Sequence, residues 1–332
     1  MRKVYIRFRS TGRIGGPTTF MRNLQRELDN LGYKYTKYTL GAKSIFFPVS
    51  IKESKIKIVK FLGGKVIQRL DGIHINNRDL NHEMEKVYKE YTDFYIFQSD
   101  FSRKMAFKYF GEVPKEKYAL IVNGANTEVF YPCTTQDKSS KIKLVTSGNF
   151  RSPLMVMPIL DVLDSLNASG FNVELTLLGP INLDQQRQEI LSKEYVIHKI
   201  IDDQGELADE LRAHDIFLYT YYNAACPNSV IEAVCCGLPV VGYDSGSMKE
   251  LCSFNKELLA FVSDEIVHDA TKYDSDKLKE KLLLCIDQFE YFKKKSLQNA
   301  SKYSMISCTE QYKAVFDRIQ PEPILKSVFS RA

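Results

Sequence analysis

No stretch of about 18 apolar residues, the length that spans a bilayer, occurs anywhere in the 332-residue chain, so no transmembrane helix is expected. The opening MRKVYIRFRS alternates charge with β-branched and aromatic residues and lacks the apolar core of a secretory leader, which places the protein in the cytoplasm. Histidine is scarce, five in all, and scattered. Seven cysteines, at 133, 226, 235, 236, 252, 285 and 308, form no Cys-x-x-Cys pair. Neither a zinc site nor a disulfide framework is indicated, and small buried thiols are the plain expectation. Gly-x-Gly-x-x-Gly is absent as well, which argues against a nicotinamide dehydrogenase. No short-period repeat or low-complexity tract stands out.

What is present can build real cores. Apolar residues make up 44% of the chain and charged residues 26%, and the length favours two domains of ordinary size. Charge is divided unevenly: residues 1–132 hold 24 Lys+Arg against 13 Asp+Glu, and the remainder 22 against 28. A basic first half can attract an anionic partner, such as a membrane surface, a lipid phosphate or a phosphorylated sugar, although a merely solvated basic face is the ordinary reading. The basic residues form no aromatic-interleaved motif, so a nucleic-acid partner is not expected.

Two α/β halves follow in order. Lys3 to Arg9 reads as a strand with Val4, Ile6 and Phe8 on one face. Gly15-Gly16 precedes Pro17, which suits a first helical turn, and Phe20, Leu24, Leu28 and Leu31 form one apolar stripe closed by Gly32. Strand, Gly-rich turn and helix is an arrangement whose bare N–H groups can cradle phosphate, or simply make a tight turn. Short strands are expected at 35–40, 44–49, 65–70, 93–98 and 118–122. The strand at 65–70 runs into Asp71 and His74, and in a parallel sheet function collects at such carboxyl ends. The plainer reading is an Asx-turn at Asp71 and a surface histidine at His74. After a polar, turn-rich stretch the pattern restarts. Strands are expected at 142–146, 173–178, 196–201 and 216–221, and helices at about 153–166, 274–300 and 307–318.

The stretch Asn223 to Leu251, NAACPNSVIEAVCCGLPVVGYDSGSMKEL, organises the second half. Pro227-Asn228-Ser229 supplies helix-start chemistry, with Asn228 or Ser229 as cap, and Gly237 stops the helix. Leu238 to Val241 is an apolar run suited to a strand buried on both faces. Glu232 is one carboxylate among apolar and small residues, where a charge is costly unless it has a partner.

This stretch resembles the donor-site signature of the family four glycosyltransferases. Glu232, Ala233, Gly237, Pro239, Val240, Val241, Ser245, Gly246 and Glu250 match it, whereas Ala224 stands where the first Glu of the signature is expected. Asn123-Gly124-Ala125-Asn126 through Phe130 and Pro132 resembles the same family's hinge. The resemblance implies the GT-B fold: two doubly wound, Rossmann-like domains with parallel sheets facing a central cleft. The boundaries implied are 1–132 for an acceptor-side domain, 133–140 for a linker, 141–304 for a donor domain and 305–332 for a last helix crossing back.

The resemblance also implies the chemistry, which is retaining transfer of a sugar from a nucleotide-diphosphate donor to a hydroxyl of a glycan, lipid-linked or protein-linked acceptor. Gly15 and Gly16 then lie against the donor. Arg151 meets the pyrophosphate, although no Lys follows at the expected spacing. Cys226, Pro227, Asn228 and Ser229 form the helix start at the leaving diphosphate, and Glu232 holds the ribose diol. Asp71 or His74 faces the transferred sugar. No metal and no cofactor beyond the nucleotide sugar is expected, and peripheral membrane contact through the basic first domain is a further expectation. A nucleotide-sugar epimerase on the same fold and an inactive donor-binding partner subunit are the alternatives. The nucleotide, the sugar, the acceptor and the oligomeric state are not legible.

Overall fold

The structure, a computed structural model, describes residues 4–7, 16–49, 51–73, 77–133, 141–262 and 274–319. The chain divides into two compact units, Met1–Gly124 with Met305–Ala332, and Ala125–Ser304. Residues 125–133 thus group with the second unit, ahead of the linker expected at 133–140. Ala125 N–H donates to Tyr303 C=O at 2.9 Å, and Phe130 is buried.

The first unit contains β1 (Val4–Ile6), α1 (Gly16–Asn30), β2 (Tyr35–Thr36), β3 (Ser44–Pro48), α2 (Glu53–Phe61), β4 (Lys65–Leu70), α3 (Arg78–Glu90), β5 (Phe94–Phe97), α4 (Asp100–Phe110) and β6 (Tyr118–Leu120). All strands are parallel, in the order β2-β1-β3-β4-β5-β6. Alternation along each strand sends Val4, Ile6, Phe46, Ile67, Phe94 and Ile96 to one face, against Phe20, Leu24 and Leu28 of α1. Tyr5, Ile45, Phe47 and Val66 face the other way, against Ile56 and Val59 of α2. Both faces are covered, so the strands read as nearly continuous apolar runs. Leu31 departs from the expected stripe: α1 ends at Asn30, and Leu31 is exposed.

The second unit contains β7 (Ile142–Ser147), α5 (Met157–Ala168), β8 (Val173–Leu178), α6 (Arg187–Leu191), β9 (Val196–Lys199), α7 (Gln204–Arg212), β10 (Ile216–Tyr219), α8 (Asn228–Cys235), β11 (Val240–Asp244), α9 (Met248–Leu251), β12 (Leu259–Phe261), α10 (Ser275–Asp287) and α11 (Phe289–Asn299). The helix expected from 153 starts as a 3-10 turn, Pro153–Met155, before α5. Its six parallel strands run β12-β11-β10-β7-β8-β9, so the strand order reverses between β7 and β10. In open α/β sheets ligands bind beyond the carboxyl ends at such a reversal. The last helix, α12 (Met305–Arg318), returns to the first unit, where Tyr312 and Phe316 pack on Phe46. The fold is therefore α/β, two doubly wound Rossmann-like units with wholly parallel sheets.

Candidate functional site

The carboxyl ends of β7 and β10 carry the loops 148–152 and 220–227, and local devices shape them. Gly179, after β8, has φ +127°, and a Cβ there would lie 2.1 Å from Gly148 O, so the loops after β7 and β8 can meet only through glycine. Phe150 N–H donates to Pro180 C=O at 3.0 Å and Asn182 N–H to Phe150 C=O at 2.9 Å, which fixes the loop that presents Arg151. Thr220 Oγ1 donates to Met155 C=O at 3.0 Å and ties the end of β10 to the 3-10 turn after β7. Gly246, at φ +64°, fits against Ala224, and a Cβ there would sit 2.4 Å from the Ala224 carbonyl oxygen. Asn223 N–H donates to Ser245 Oγ, and Ser247 N–H to Ala224 C=O, so the loops after β10 and β11 interlock.

On this frame α8 starts at Asn228 with Pro227 as its N-cap residue, which makes no side-chain cap hydrogen bond. The expected cap by Asn228 or Ser229 is thus not made. Both residues lie within the first turn, because Pro227 holds extended geometry (φ −70°, ψ 120°) one residue earlier. Cys226 is buried, and Pro227, Asn228 and Ser229 are half-buried. Glu232 sits four residues after Asn228 and so shares its face of the helix.

The Glu232 carboxylate is the unusual group. The residue is 9% exposed, and among the described residues its carboxylate makes no hydrogen bond or ion pair. Burial pushes its carboxyl up to about 8. A structural buried glutamate would have an Arg or Lys paired to it, and none is paired to it among the described residues. Arg151 is exposed and likewise makes no ion pair among the described residues, so it is not held by a structural salt bridge. The Ser247 hydroxyl, which sequence reading did not single out, is fully buried without a hydrogen-bond partner. The Ser-Gly match at 245–246 was the available signal.

In the first unit Asp71 ends β4, but its carboxylate is engaged. Oδ1 accepts from the Arg69 guanidinium and from Gln98 Nε2, the latter at 2.8 Å. Neither the Asx-turn nor an uncommitted acid describes it. Arg69 is 1% exposed, donates to Tyr312 Oη at 3.0 Å and to Asn123 Oδ1 at 2.9 Å, and lies 4.1 Å from the centre of the Phe20 ring. Gln98 Oε1 accepts from Asn123 Nδ2 at 3.0 Å. Arg69 escaped sequence reading; its signal was a cation one residue from the end of a strand that also holds Lys65 and Gln68. Gly16 begins α1, whereas Gly15 and His74 lie outside the described residues.

No group of three or more His, Cys, Asp or Glu among the described residues is arranged to hold a metal ion. Asp274-Ser275-Asp276 has the Asp-x-Asp spacing of a metal motif, which sequence reading passed over. Its Asp274 instead caps α10, accepting from Lys277 N–H at 3.0 Å.

Residues 141–273, covering most of this frame, match the family model described as Glycosyl transferases group 1. The chain is similar to that family over this stretch. It is 22% identical over 300 residues to a probable sucrose-phosphate synthase of Thermosipho melanesiensis, covering 86% of this chain and 64% of that protein's length. The chain thus spans under two thirds of that relative. Among solved structures, a sucrose-phosphate synthase from Thermosynechococcus elongatus superposes with a TM-score of 0.65 at 14% identity, over 94% of this chain and 81% of that one. WaaG, a glycosyltransferase of lipopolysaccharide biosynthesis, superposes with a TM-score of 0.67 at 12% identity, over 95% and 99%. At these identities the structural likeness speaks for the fold, the GT-B architecture expected from the motif. Within this stretch, Glu232 on α8, Gly237 at its end, and Ser245-Gly246 locked against Ala224 are motif residues that belong to the frame described above.

Proposed function

We propose that the protein is a retaining glycosyltransferase whose second unit holds the nucleotide diphosphate of a nucleotide-sugar donor, without a metal. The observation that carries this reading is the buried Glu232 carboxylate, unpartnered among the described residues and four residues beyond Asn228 in a helix whose N-cap residue is a proline. A ribose diol supplies two hydroxyl donors, which is what a buried carboxylate lacks here. The helix start at Asn228 and Ser229 and the uncommitted Arg151 face the same need from the other sign: both favour a diphosphate.

Transfer breaks the bond between the sugar anomeric carbon and the diphosphate oxygen and forms a bond from that carbon to the acceptor oxygen. The acceptor's hydroxyl proton passes to the departing diphosphate when attack comes from the same face. Arg151 and the first turn of α8 stabilise the negative charge that develops on the leaving group. The acceptor is a hydroxyl of a glycan, or of a lipid- or protein-linked group, and His74 is the residue proposed to face the transferred sugar.

Thermal shift against a panel of nucleoside diphosphates and their sugars tests the donor reading, since a ligand of the folded state raises its melting temperature. One nucleotide series is expected to stabilise the chain, and transfer is expected to survive excess chelator. Loss of transfer in chelator with rescue by magnesium or manganese would contradict the metal-free part. A donor-binding but inactive subunit is the second reading, favoured by Ala224. That residue is buried and locked by its backbone to the Gly246 loop where the motif's first carboxylate is expected. It predicts nucleotide binding with neither transfer nor donor hydrolysis.

A further inference from the structure

The first unit carries an apolar, lysine-rich tip built from the connection between β2 and β3, the end of α2 and the amino ends of β3 and β4, opposite the carboxyl end of β4 where Asp71 lies. Phe61, the last residue of α2, is 90% exposed, Leu40 is 79% exposed and Tyr38 77%. Leu31, Ile58 and Leu62 are exposed beside them in sequence. Ile58, Phe61 and Leu62 fall at helical spacing on the side of α2 that faces away from the core residues Ile56 and Val59. Sheet register brings the segments together. Tyr35 and Ser44 both align with Val4, and Ser44 aligns with Lys65, so Lys34, Lys43 and Gly64 share one edge of the sheet. Lys65 N–H donates to Lys43 C=O at 3.1 Å, joining the end of the α2 connection to the turn that holds Leu40. With strands about 4.8 Å apart, Lys34 and Gly64 span about 14 Å across four strands.

Charge is concentrated on the same segment. Residues 31–65 contain eight lysines and one glutamate, a balance of +7 against +5 for the entire chain. Lys57 pairs with Glu53, and Lys60 and Lys65 share Asp93. Lys34, Lys37 and Lys43 are exposed and make no ion pair among the described residues. Protruding aromatic and aliphatic side chains ringed by unpaired lysines have no use for water, and their charge excludes a second copy of the same basic face. An anionic bilayer matches both: apolar side chains enter the headgroup boundary while the ammonium groups meet lipid phosphate.

We propose that this tip, Tyr38, Leu40, Phe61 and Leu62 with Lys34, Lys37 and Lys43, is a docking surface for an anionic lipid membrane. Docking by the amino ends of the strands leaves the carboxyl ends of the first sheet uncovered. The inference stands apart from the transferase reading, because vesicle binding requires no donor.

Co-sedimentation of the full chain with vesicles tests it. Binding is expected to phosphatidylcholine vesicles containing phosphatidylglycerol, not to phosphatidylcholine alone, and to weaken as salt rises from about 0.02 M to about 0.5 M. Leu40→Ser with Phe61→Ser is expected to lower the partition coefficient about tenfold or more without changing the melting temperature, since both side chains are already in water. Lys34→Glu with Lys37→Glu and Lys43→Glu is expected to lower it at least as much. The proposal is overturned if the chain ignores anionic vesicles at low salt, or if both variants bind as the wild type does. It is equally overturned if the tip instead joins two copies, seen as a dimer in solution that Leu40→Ser with Phe61→Ser dissolves.

Discussion

At the scale of single residues, two buried charged groups are handled in opposite ways. Arg69 and Asp71 neutralise one another, Asp71 also accepts from Gln98, and Arg69 also donates to Asn123 and Tyr312. Asp71→Asn should leave the guanidinium buried without its counter-charge and cost about 3–5 kcal/mol, read as a clear fall in melting temperature. A purely catalytic Asp71 would lose turnover and keep its stability. Glu232 has no such partner among the described residues. Its folded carboxyl sits at about 8, above the ordinary value of 4.5, so its contribution to stability is fully present below about 4.5 and is lost as pH rises through about 8. Glu232→Gln removes that loss. The variant should melt above the wild type at pH about 9, and the gap should close toward pH about 5. A constant gap across that range would mean that the carboxyl titrates normally.

At the scale of elements, the interlocked loops after β10 and β11 depend on one glycine. Gly246→Ala adds a Cβ against the Ala224 backbone as well as straining a positive φ, and should cost about 2 kcal/mol or more together with nucleotide affinity. Gly170→Ala is the control: its φ is +86° but nothing lies within 4 Å, so only the backbone cost of about 1–2 kcal/mol should appear in denaturant melts. Equal losses would remove the steric argument. Elements of this kind were legible because their signals are local: the Ser-Gly turn, the Gly237 helix stop and the apolar run of β11 each occupy a few neighbouring residues. β4 was read at its observed bounds for the same reason. What escaped is assembled over distance. Arg69 meets Tyr312 from 243 positions away, and no period in either segment announces the pair. The cap of α8 was misplaced by one or two residues because Pro227, Asn228 and Ser229 all suit a helix start, and only the backbone angles decide among them.

At the scale of the whole molecule, the chain leaves its first unit at Gly124 and returns at Met305. Helix α12 fills that unit's core through Tyr312, Val315 and Phe316 and supplies the hydroxyl on Arg69. Ending the chain at Ser304 should therefore unfold the first unit while Ala125–Ser304 keeps its amide protection in hydrogen exchange. Protection of β3 and β4 that outlasts this truncation would show the helix to be dispensable. The central claim, that Glu232 is left unpaired to receive a nucleotide, is tested most directly by calorimetric titration of the stabilising nucleoside diphosphate into wild type and Glu232→Gln between pH about 6 and about 9. A carboxylate that must ionise to accept the diol predicts wild-type affinity that rises with pH through about 8. It predicts a variant at least about tenfold weaker at the upper end, without that slope. Equal affinities and equal slopes in the two proteins would contradict it.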